Sequence, residues 1–229
     1  MIIFTKASVS WLVLFSWGNG SGGMYPVSDG FLRAVKSNTR KYYWTGTIVT
    51  RGGMTYEFGA KGIVKGSGYI SRQCCGSTEI ELGTVYAAEM GISLFLDIDR
   101  YTLEDAEVEL SYHLRLASGA YETVPMGIFE VSEANRTVHV LELKAYDRML
   151  RFDRAFNGFE TIGTAYGMMA LCSTACGVEL AQSQAEIEAL PNGSELLSIY
   201  PENDIETYRD VLYFTAQVLG GFFCVNRAG

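Results

Sequence analysis

Hydrophobic and polar residues alternate along most of the chain between residues 66 and 150. In the longest run, Glu79–Leu94, most apolar residues fall on even positions, and Glu79, Glu81 and Glu89 take the opposite face. Ala106–Leu116 repeats this pattern. Alternation with a period of two is typical of strands that pack one face and expose the other. This part of the chain is therefore predicted to be antiparallel β structure.

Turn residues divide the alternating region into separate strands. Arg51-Gly52-Gly53 predicts a hairpin turn, and Pro125 restricts strand pairing where it lies. Ser28 or Asp29 is expected to cap a short helix over 30–37. Strands are predicted over 41–50, 54–58, 63–65, 69–75, 79–94, 106–116, 121–124, 126–134 and 137–147.

After Asp153 the apolar period changes to that of a helix. Helices are predicted over 161–178, 182–190 and 204–219, the last opened by a capping box of Asn203 and Glu206. Short strands are expected over 196–200 and 222–226. We therefore predict a β-barrel-like domain over 24–153 and a mixed, helix-containing α/β domain over 154–229, whose last strand is cut short. The fold class is β-rich α+β.

Residues 1–23 are predicted to be an extension outside the fold. A short cationic start, an apolar stretch from Val9 to Trp17 and a glycine-rich segment follow one another. A secretory signal is one interpretation, although no small-x-small cleavage site follows. A genuine extra segment is another. We favour the third, in which translation begins at Met24. The apolar stretch is too short to span a bilayer, so no membrane span is predicted.

Composition narrows the possible partners and the cellular compartment. The 229 residues carry a formal net charge of −8, and 48% of them are hydrophobic. Such acidity argues against nucleic-acid binding, because phosphate neutralisation needs a basic face. The five cysteines (Cys74, Cys75, Cys172, Cys176 and Cys224) lack the paired spacing of a zinc site. They are interpreted as buried reduced thiols, which favours folding in the cytoplasm.

Candidate catalytic residues are few, and each has a simpler structural interpretation. Glu79, Glu81 and Glu89 are expected on the solvent face of a strand. The acidic set Asp97, Asp99, Glu104 and Asp105 lacks the spacing and the glycine of an EF-hand. His113 and His139 have no nearby nucleophile. We predict no catalytic, cofactor-binding or metal-binding residue, and no enzymatic activity.

Several short segments, in a fixed order, resemble tail-tip proteins of bacteriophages and prophages of Gram-positive hosts. The resemblance covers residues 24–229. The proteins that the chain resembles form the family of tail hub, baseplate hub or tail-associated proteins. The segments are Tyr25–Phe31 (YPVSDGF), Ile70–Gln73 (ISRQ), Val124–Val131 (VPMGIFEV), Leu141–Leu150 (LELKAYDRML), Asp204–Leu212 (DIETYRDVL), Gly220-Gly221 and Asn226-Arg227.

The resemblance implies a structural virion component that extends the tail tube. It implies a β-barrel-like tube domain, assembly as a homotrimer, and contacts with other tail proteins, namely a distal tail or tube ring and a tip or spike. Assembly would occur in the host cytoplasm before the protein enters the virion tail. Residues 126–131 and 138–143 are expected to contribute to subunit contacts.

Two alternatives from other classes stay open. Tyr42, Tyr43 and Trp44 are candidates for the stacking platform of a carbohydrate-binding β module, although they are equally suited to packing a hairpin. The other alternative is a hydrolase with an unrecognised site, which a cleft of convergent carboxylates would support.

Overall fold

The computed structural model describes residues 11–16, 25–73, 81–157, 160–200 and 202–227. They form a β-rich fold with a seven-stranded antiparallel sheet and a few helices. The strands are β1 Trp11–Ser16, β2 Tyr42–Val49, β3 Thr55–Phe58, β4 Tyr69–Ser71, β5 Glu89–Leu94, β6 Glu107–Arg115, β7 Tyr121–Arg136, β8 Leu141–Tyr146, β9 Thr161–Thr164, β10 Glu179–Leu180, β11 Leu196–Ile199 and β12 Gly221–Val225. The helices are α1 Asp29–Val35, α2 Ala165–Cys176, α3 Gln184–Glu188 and α4 Tyr208–Leu219, and Arg100–Leu103 and Arg148–Asp153 are 3₁₀ helices.

The large sheet has the strand order β3-β2-β6-β7-β8-β5-β4, and every neighbouring pair is antiparallel. After β3 the chain returns beside β5, where the Val64 amide donates to the Ser93 carbonyl at 2.9 Å. Within the described ranges β3 and β4 remain the edges of the sheet, so the barrel-like closure that the resemblance implies stays a prediction.

The buried apolar residues form two separate cores. Apart from Val85, the residues of one core precede residues 146–148 in the sequence and those of the other follow them. One core packs against the large sheet, and its buried residues run from Phe31 to Ala145. The other contains Val85 and residues from Met149 to Val225. We call 25–73 and 88–146 the sheet lobe, and 11–16, 81–87 and 147–227 the C-terminal lobe. The predicted domain boundary near Asp153 stays a prediction.

Strand β7 differs from the sequence prediction because it continues through Pro125. Its register against β6 shifts between Leu110 and Ser111, which pair with Gly127 and Pro125 and leave Met126 as the extra residue of a bulge. A bulge tolerates proline because one residue there needs no ladder hydrogen bond. The predicted separate strands 121–124 and 126–134 are therefore one strand of 16 residues.

The prediction of one strand over Glu79–Leu94 is wrong for its described residues before Glu89. Residues 83–87 form a connection outside the strands of the sheet, which we call the strap. The Gly83 amide donates to the Gly221 carbonyl at 2.8 Å, and Val85 is buried in the C-terminal core. Ala88 and Met90 are buried in the sheet core instead. The alternation in sequence thus reflects burial against two different cores. Glu79 lies outside the described residues.

The C-terminal lobe combines short strands with two longer helices. Strand β12 pairs with β1, which also pairs with β10, and β9 pairs with β11. Residues 11–16, expected in an extension outside the fold, thus form a strand of this lobe. The predicted helix 161–178 begins only at Ala165, because the Thr164 hydroxyl caps it, and Gly177 ends it in the left-handed conformation.

Helix α4 begins at Tyr208 rather than at the predicted residue 204. Its capping box is Thr207 with Asp210, not Asn203 with Glu206. The Thr207 hydroxyl accepts from the Asp210 amide at 3.2 Å, and the Asp210 carboxylate accepts from the Thr207 amide at 2.8 Å. Among the helices of the described ranges, none combines the length and apolar character that a bilayer crossing requires.

Candidate functional site at the junction of the two lobes

Arg72 is the first of several arginines that connect the two lobes. From just beyond β4, its Nη2 donates to the Met126 carbonyl at 3.0 Å and its Nη1 to the Val225 carbonyl at 3.3 Å. The guanidinium also lies 6.0 Å from the ring centroid of Phe129. A Cβ on Gly127, whose φ is +135°, would lie 2.7 Å from the Arg72 Nη2. Glycine therefore allows the guanidinium to approach this close.

Arg227 approaches the same stretch of β7 from the other end of the chain. Its side chain is buried, and its Nη1 donates to the Pro125 carbonyl at 3.0 Å. Burial, together with the nearby charge of Arg72, lowers the pKa of Arg227 to about 9. The guanidinium is still cationic at neutral pH. The β7 bulge thus receives hydrogen bonds from two arginines that are far apart in sequence.

Asp147 is the buried carboxylate at the centre of the junction, with 3% of its surface exposed. Its backbone amide donates to the Ala88 carbonyl at 2.9 Å, and its Oδ1 accepts from the Met149 amide at 3.1 Å. Desolvation raises the pKa of this carboxyl to about 6, against the opposing attraction of Arg72 and Arg209. Asp147 therefore titrates within the range of mildly acidic pH.

Arg209, on the first turn of α4, joins three segments. Its Nε and Nη2 donate to the two carboxylate oxygens of Asp153, at 2.5 and 3.0 Å. Its Nη1 donates to the Val85 carbonyl of the strap at 2.7 Å, and its Nη2 also donates to the Met149 carbonyl at 3.1 Å. A bidentate carboxylate contact with two further carbonyl contacts fixes the direction in which α4 leaves the junction.

The 3₁₀ helix Arg148–Asp153 carries two further arginines that contact the sheet. The Arg148 Nη2 donates to Glu107 Oε1 at 2.6 Å, and Arg151 pairs with Glu130. Glu107 and Glu130 are direct partners across β6 and β7. The Arg151 Nη1 also donates to the Gly177 carbonyl at 3.2 Å, just after α2, where a cation complements the helix dipole. This group thus joins the large sheet to α2.

The junction has the chemistry of a rigid joint rather than of a reaction centre. Its guanidinium groups donate to backbone carbonyls and carboxylates, which are strong, charge-assisted contacts. The thiol of Cys224 is a poor nucleophile, because desolvation raises its pKa to about 12. Cys172 and Cys176 are free and buried, as predicted, whereas Cys224 is free but only half-buried, and Cys74 and Cys75 lie outside the described residues.

The structure places the other candidate carboxylates in structural contacts and does not bring them together. Glu89 accepts from the Tyr69 hydroxyl at 2.5 Å, and this hydrogen bond lowers the pKa of Glu89, the opposite of what a general acid needs. Asp97 pairs with Arg136 at 2.5 Å. No cluster of three or more potential metal ligands occurs within the described ranges.

The acidic residues between β5 and β6 are likewise dispersed. Asp99 accepts from the Tyr101 amide at 3.1 Å and caps a 3₁₀ helix, and Asp105 pairs with Arg51 at 3.1 Å. Glu104 is exposed, as is Glu81, which precedes β5. These side chains serve separate local structures rather than one calcium-like site.

Tyr42, Tyr43 and Trp44 do not form one platform. Tyr42 and Trp44 contact Tyr112 on one face of the sheet, at centroid distances of 5.4 and 5.8 Å. Tyr43 lies on the opposite face and stacks on His113 at 4.4 Å. Side chains alternate between the two faces along β2, so Tyr43 is separated from Tyr42 and Trp44. The exposed His139 lies between β7 and β8.

Sequence reasoning did not single out Arg72, Arg227 or Asp147 as members of one site. Each nevertheless lies in a segment that carries the resemblance: Arg72 in ISRQ, Asp147 in LELKAYDRML, and Arg227 in the dipeptide Asn226-Arg227. Arg209 lies in DIETYRDVL, and the structure shows it in an ion pair with Asp153 of another element. The presence of all four residues in the segments that carry the resemblance is the sequence signal from which the junction could have been predicted.

Comparisons with known proteins give no family. No protein-family model matches the chain, and none of the curated proteins matches it. Among solved structures, the chain is similar to a chain described as "Virion of native gene transfer agent (GTA) particle", with 9% identity and a TM-score of 0.39. The likeness covers 58% of this chain and 49% of that chain, so this protein spans about half of its length.

Proposed function

We propose that this protein is a structural virion component, the hub of a bacteriophage or prophage tail tip or baseplate. In this role it extends the tail tube and joins the tube to the tip. The observation that supports the proposal is the meeting of the resemblance segments at one junction. Arg72, Met126, Asp147, Arg209 and Arg227 come from five of those segments and lie around the β7 bulge and the start of α4.

A joint of this kind suits a hub. A protein that continues a tube and carries a tip must hold its two parts in a fixed relative orientation. The sheet lobe and the C-terminal lobe are connected by charge-assisted hydrogen bonds from Arg72 and Arg227 to backbone carbonyls, whose direction is set by the fold.

Trimeric assembly is part of the proposal, because a hub must match the rotational symmetry of the tube that it continues. The structure changes the expected contact surface. Residues 126–131 and 141–143 belong to β7 and β8 inside the sheet, and Met126, Phe129, Leu141 and Leu143 are buried. The expectation that they contribute to subunit contacts is wrong for these buried residues. Within the described ranges, the strand edges that the large sheet offers for pairing are those of β3 and β4.

We therefore propose that β3 of one subunit lies close to β4 of the next, so that three sheets surround the tube axis. Edge strands present unpaired backbone groups, which favour such contacts. The neighbours along the axis would be a distal tail or tube ring on one side and a tip or spike on the other. No hydrolase activity is part of this role.

The test uses the full-length protein in tail particles from the strain that encodes it. Deletion of the gene should yield particles without a completed tail tip, and an epitope-tagged copy supplied in trans should restore them. Imaging should place the tag at the tip with threefold symmetry. Tails of normal composition and infectivity after deletion, or a full-length protein that is strictly monomeric and absent from particles, would overturn the proposal.

A further inference from the structure

The outer face of β2, β3 and β6 carries a polar depression that the proposed hub role does not use. It has a volume of about 510 Å³. Hydroxyl and carboxylate residues of three neighbouring strands line it: Thr45, Thr47, Glu57, Glu109 and Ser111. On the opposite, core-facing side of β2, Gly46 leaves room for the Phe58 ring, since a Cβ there would lie 2.4 Å from that ring.

An aromatic surface continues the depression along β2. The ring of Tyr43 stacks on His113 with centroids 4.4 Å apart and planes 10° apart, and the Tyr121 ring meets it edge-on at 5.1 Å. Tyr121 is 47% exposed. Thr45 belongs to both parts, since its hydroxyl lies 2.8 Å from His113 Nε2 and its side chain lines the depression.

His113 fixes this aromatic surface. Its Nδ1 lies 2.8 Å from the Thr123 hydroxyl, so both ring nitrogens have hydroxyl partners that either donate or accept. Burial lowers the pKa of His113, so the ring is neutral at physiological pH. The Tyr43 ring is thus held flat against a fixed neutral ring rather than against a mobile cation.

These observations together define the kind of ligand. Aromatic rings stack on the C–H faces of pyranose sugars, and carboxylates and hydroxyls accept or donate hydrogen bonds at sugar hydroxyls. Two carboxylates and no lysine or arginine line the depression, so this part of the surface disfavours phosphorylated or uronic-acid units. Arg115 is the strand partner of Tyr121 and lies at the aromatic end only. From Tyr43 to Thr47 the strand spans about 13 Å, enough for more than one pyranose ring.

We infer that this surface binds a neutral oligosaccharide, with Tyr43 and Tyr121 as the stacking residues and Glu57 and Glu109 as hydrogen-bond acceptors for sugar hydroxyls. The inference does not depend on the proposed hub role, because a monomer already contains every residue of the site. It also differs from the platform expected from the sequence, since Tyr42 and Trp44 lie on the opposite face and take no part.

The probes are the neutral hexasaccharides cellohexaose, chitohexaose and maltohexaose, with hexagalacturonate as the anionic comparison. Binding to the purified 229-residue protein is measured by titration calorimetry and by NMR of the sugar. At least one neutral hexasaccharide should bind, and hexagalacturonate should not. Tyr43→Ala and Glu109→Gln should each weaken that binding by about tenfold, the effect of one lost contact.

Matched controls are Tyr101→Ala and Glu142→Gln, which change an exposed tyrosine and an exposed glutamate outside the site. Both should bind as the unmodified protein does. Glu109→Gln preserves side-chain shape, so it tests the site even if Tyr43→Ala fails to fold. Absence of binding to all three neutral sugars, equal binding by the site variants, or binding that requires added Ca²⁺ would overturn the inference.

Discussion

The sheet lobe and the C-terminal lobe both have apolar cores, but their backbones are supported in different ways. The sheet lobe pairs strands as long as the 16 residues of β7, and its core residues share one continuous surface. The C-terminal lobe has strands of two to six residues, including β10 with two. Short isolated strand pairs are marginally stable in water. The second lobe therefore depends on helix packing and on the arginine junction.

The difference between the lobes makes the junction a point of mutual dependence. The strap supplies Val85 to the C-terminal core, and Ala88, which directly follows the strap, is buried in the sheet core. Phe129 packs in the sheet core, while Arg72 over its ring reaches the Val225 carbonyl. We expect a substitution that destabilises one lobe to destabilise the other lobe as well. Four variants test how far this coupling extends.

Phe129→Ala should have the largest effect. The side chain is fully buried, and removing a buried phenylalanine costs about 3–5 kcal/mol of unfolding free energy. Because Phe129 lies beneath Arg72, hydrogen exchange should accelerate in α4 as well as in β6. The surface control Val138→Ala, at a residue 81% exposed, should change stability by less than about 0.5 kcal/mol. Faster exchange in the sheet lobe alone would show that the lobes are independent.

Asp147→Asn should remove a pH dependence that arises at the junction. The carboxyl pKa is raised from 3.8 to about 6 in the folded protein. The stability associated with its protonated form is therefore present below about pH 4 and is lost as pH rises through about 6. The loss amounts to about 3 kcal/mol.

The measurement is urea unfolding between pH 4 and 7. Relative to the unmodified protein, Asp147→Asn should gain about 3 kcal/mol over this range. Asp105→Asn, at an exposed carboxylate, should show no such gain. A constant difference between Asp147→Asn and the unmodified protein would mean that Asp147 is not desolvated in solution.

Arg209→Ala should destabilise the C-terminal lobe by about 2–3 kcal/mol, because it removes a partly buried ion pair and two carbonyl contacts. Thermal unfolding followed by circular dichroism measures the effect. The matched control, Arg51→Ala, breaks the solvent-exposed pair with Asp105 and should cost less than about 1 kcal/mol. Equal effects of the two variants would show that the junction contributes no more than a surface ion pair.

Gly127→Ala tests the close approach of Arg72 and should have the smallest effect, about 1–2 kcal/mol. Alanine is strained at a φ of +135°, and its Cβ would displace the guanidinium. Gly59→Ala is the control, since a Cβ there meets no atom within 4 Å. Chemical denaturation should give a lower free energy of unfolding for Gly127→Ala than for Gly59→Ala. A neutral Gly127→Ala variant would mean that the bulge and Arg72 adjust without loss.

Most of the sheet lobe could be predicted from local sequence, whereas the junction could not. The turn at Arg51-Gly52-Gly53, the strand β6 and the cap at Ser28 all follow from nearby residues, and the structure contains them. The strap was missed because alternation does not tell which core each apolar residue enters. The capping box at Thr207 was misplaced because Asn203 with Glu206 offers the same local chemistry.

The candidate site depends on contacts between residues that are far apart in sequence. Arg72 and Val225 are 153 residues apart, and Arg209 and Val85 are 124 apart. Nothing in a local pattern specifies such pairs. The saccharide-binding surface was partly anticipated through Tyr43, but Glu57, Glu109 and Tyr121 become its neighbours only through strand register.

The pairing of the strap with β12 has a consequence for synthesis on the ribosome. The Gly83 amide donates to the Gly221 carbonyl, and the Thr84 carbonyl accepts from the Phe223 amide. Nearly 140 residues are synthesised between the two partners of each hydrogen bond, so neither bond can form before β12 has been made. The strands of the large sheet all precede residue 147 and can pair first. Contacts of such long sequence separation form late. The nascent chain thus carries a folded sheet whose strap stays uncovered until β12 leaves the exit tunnel.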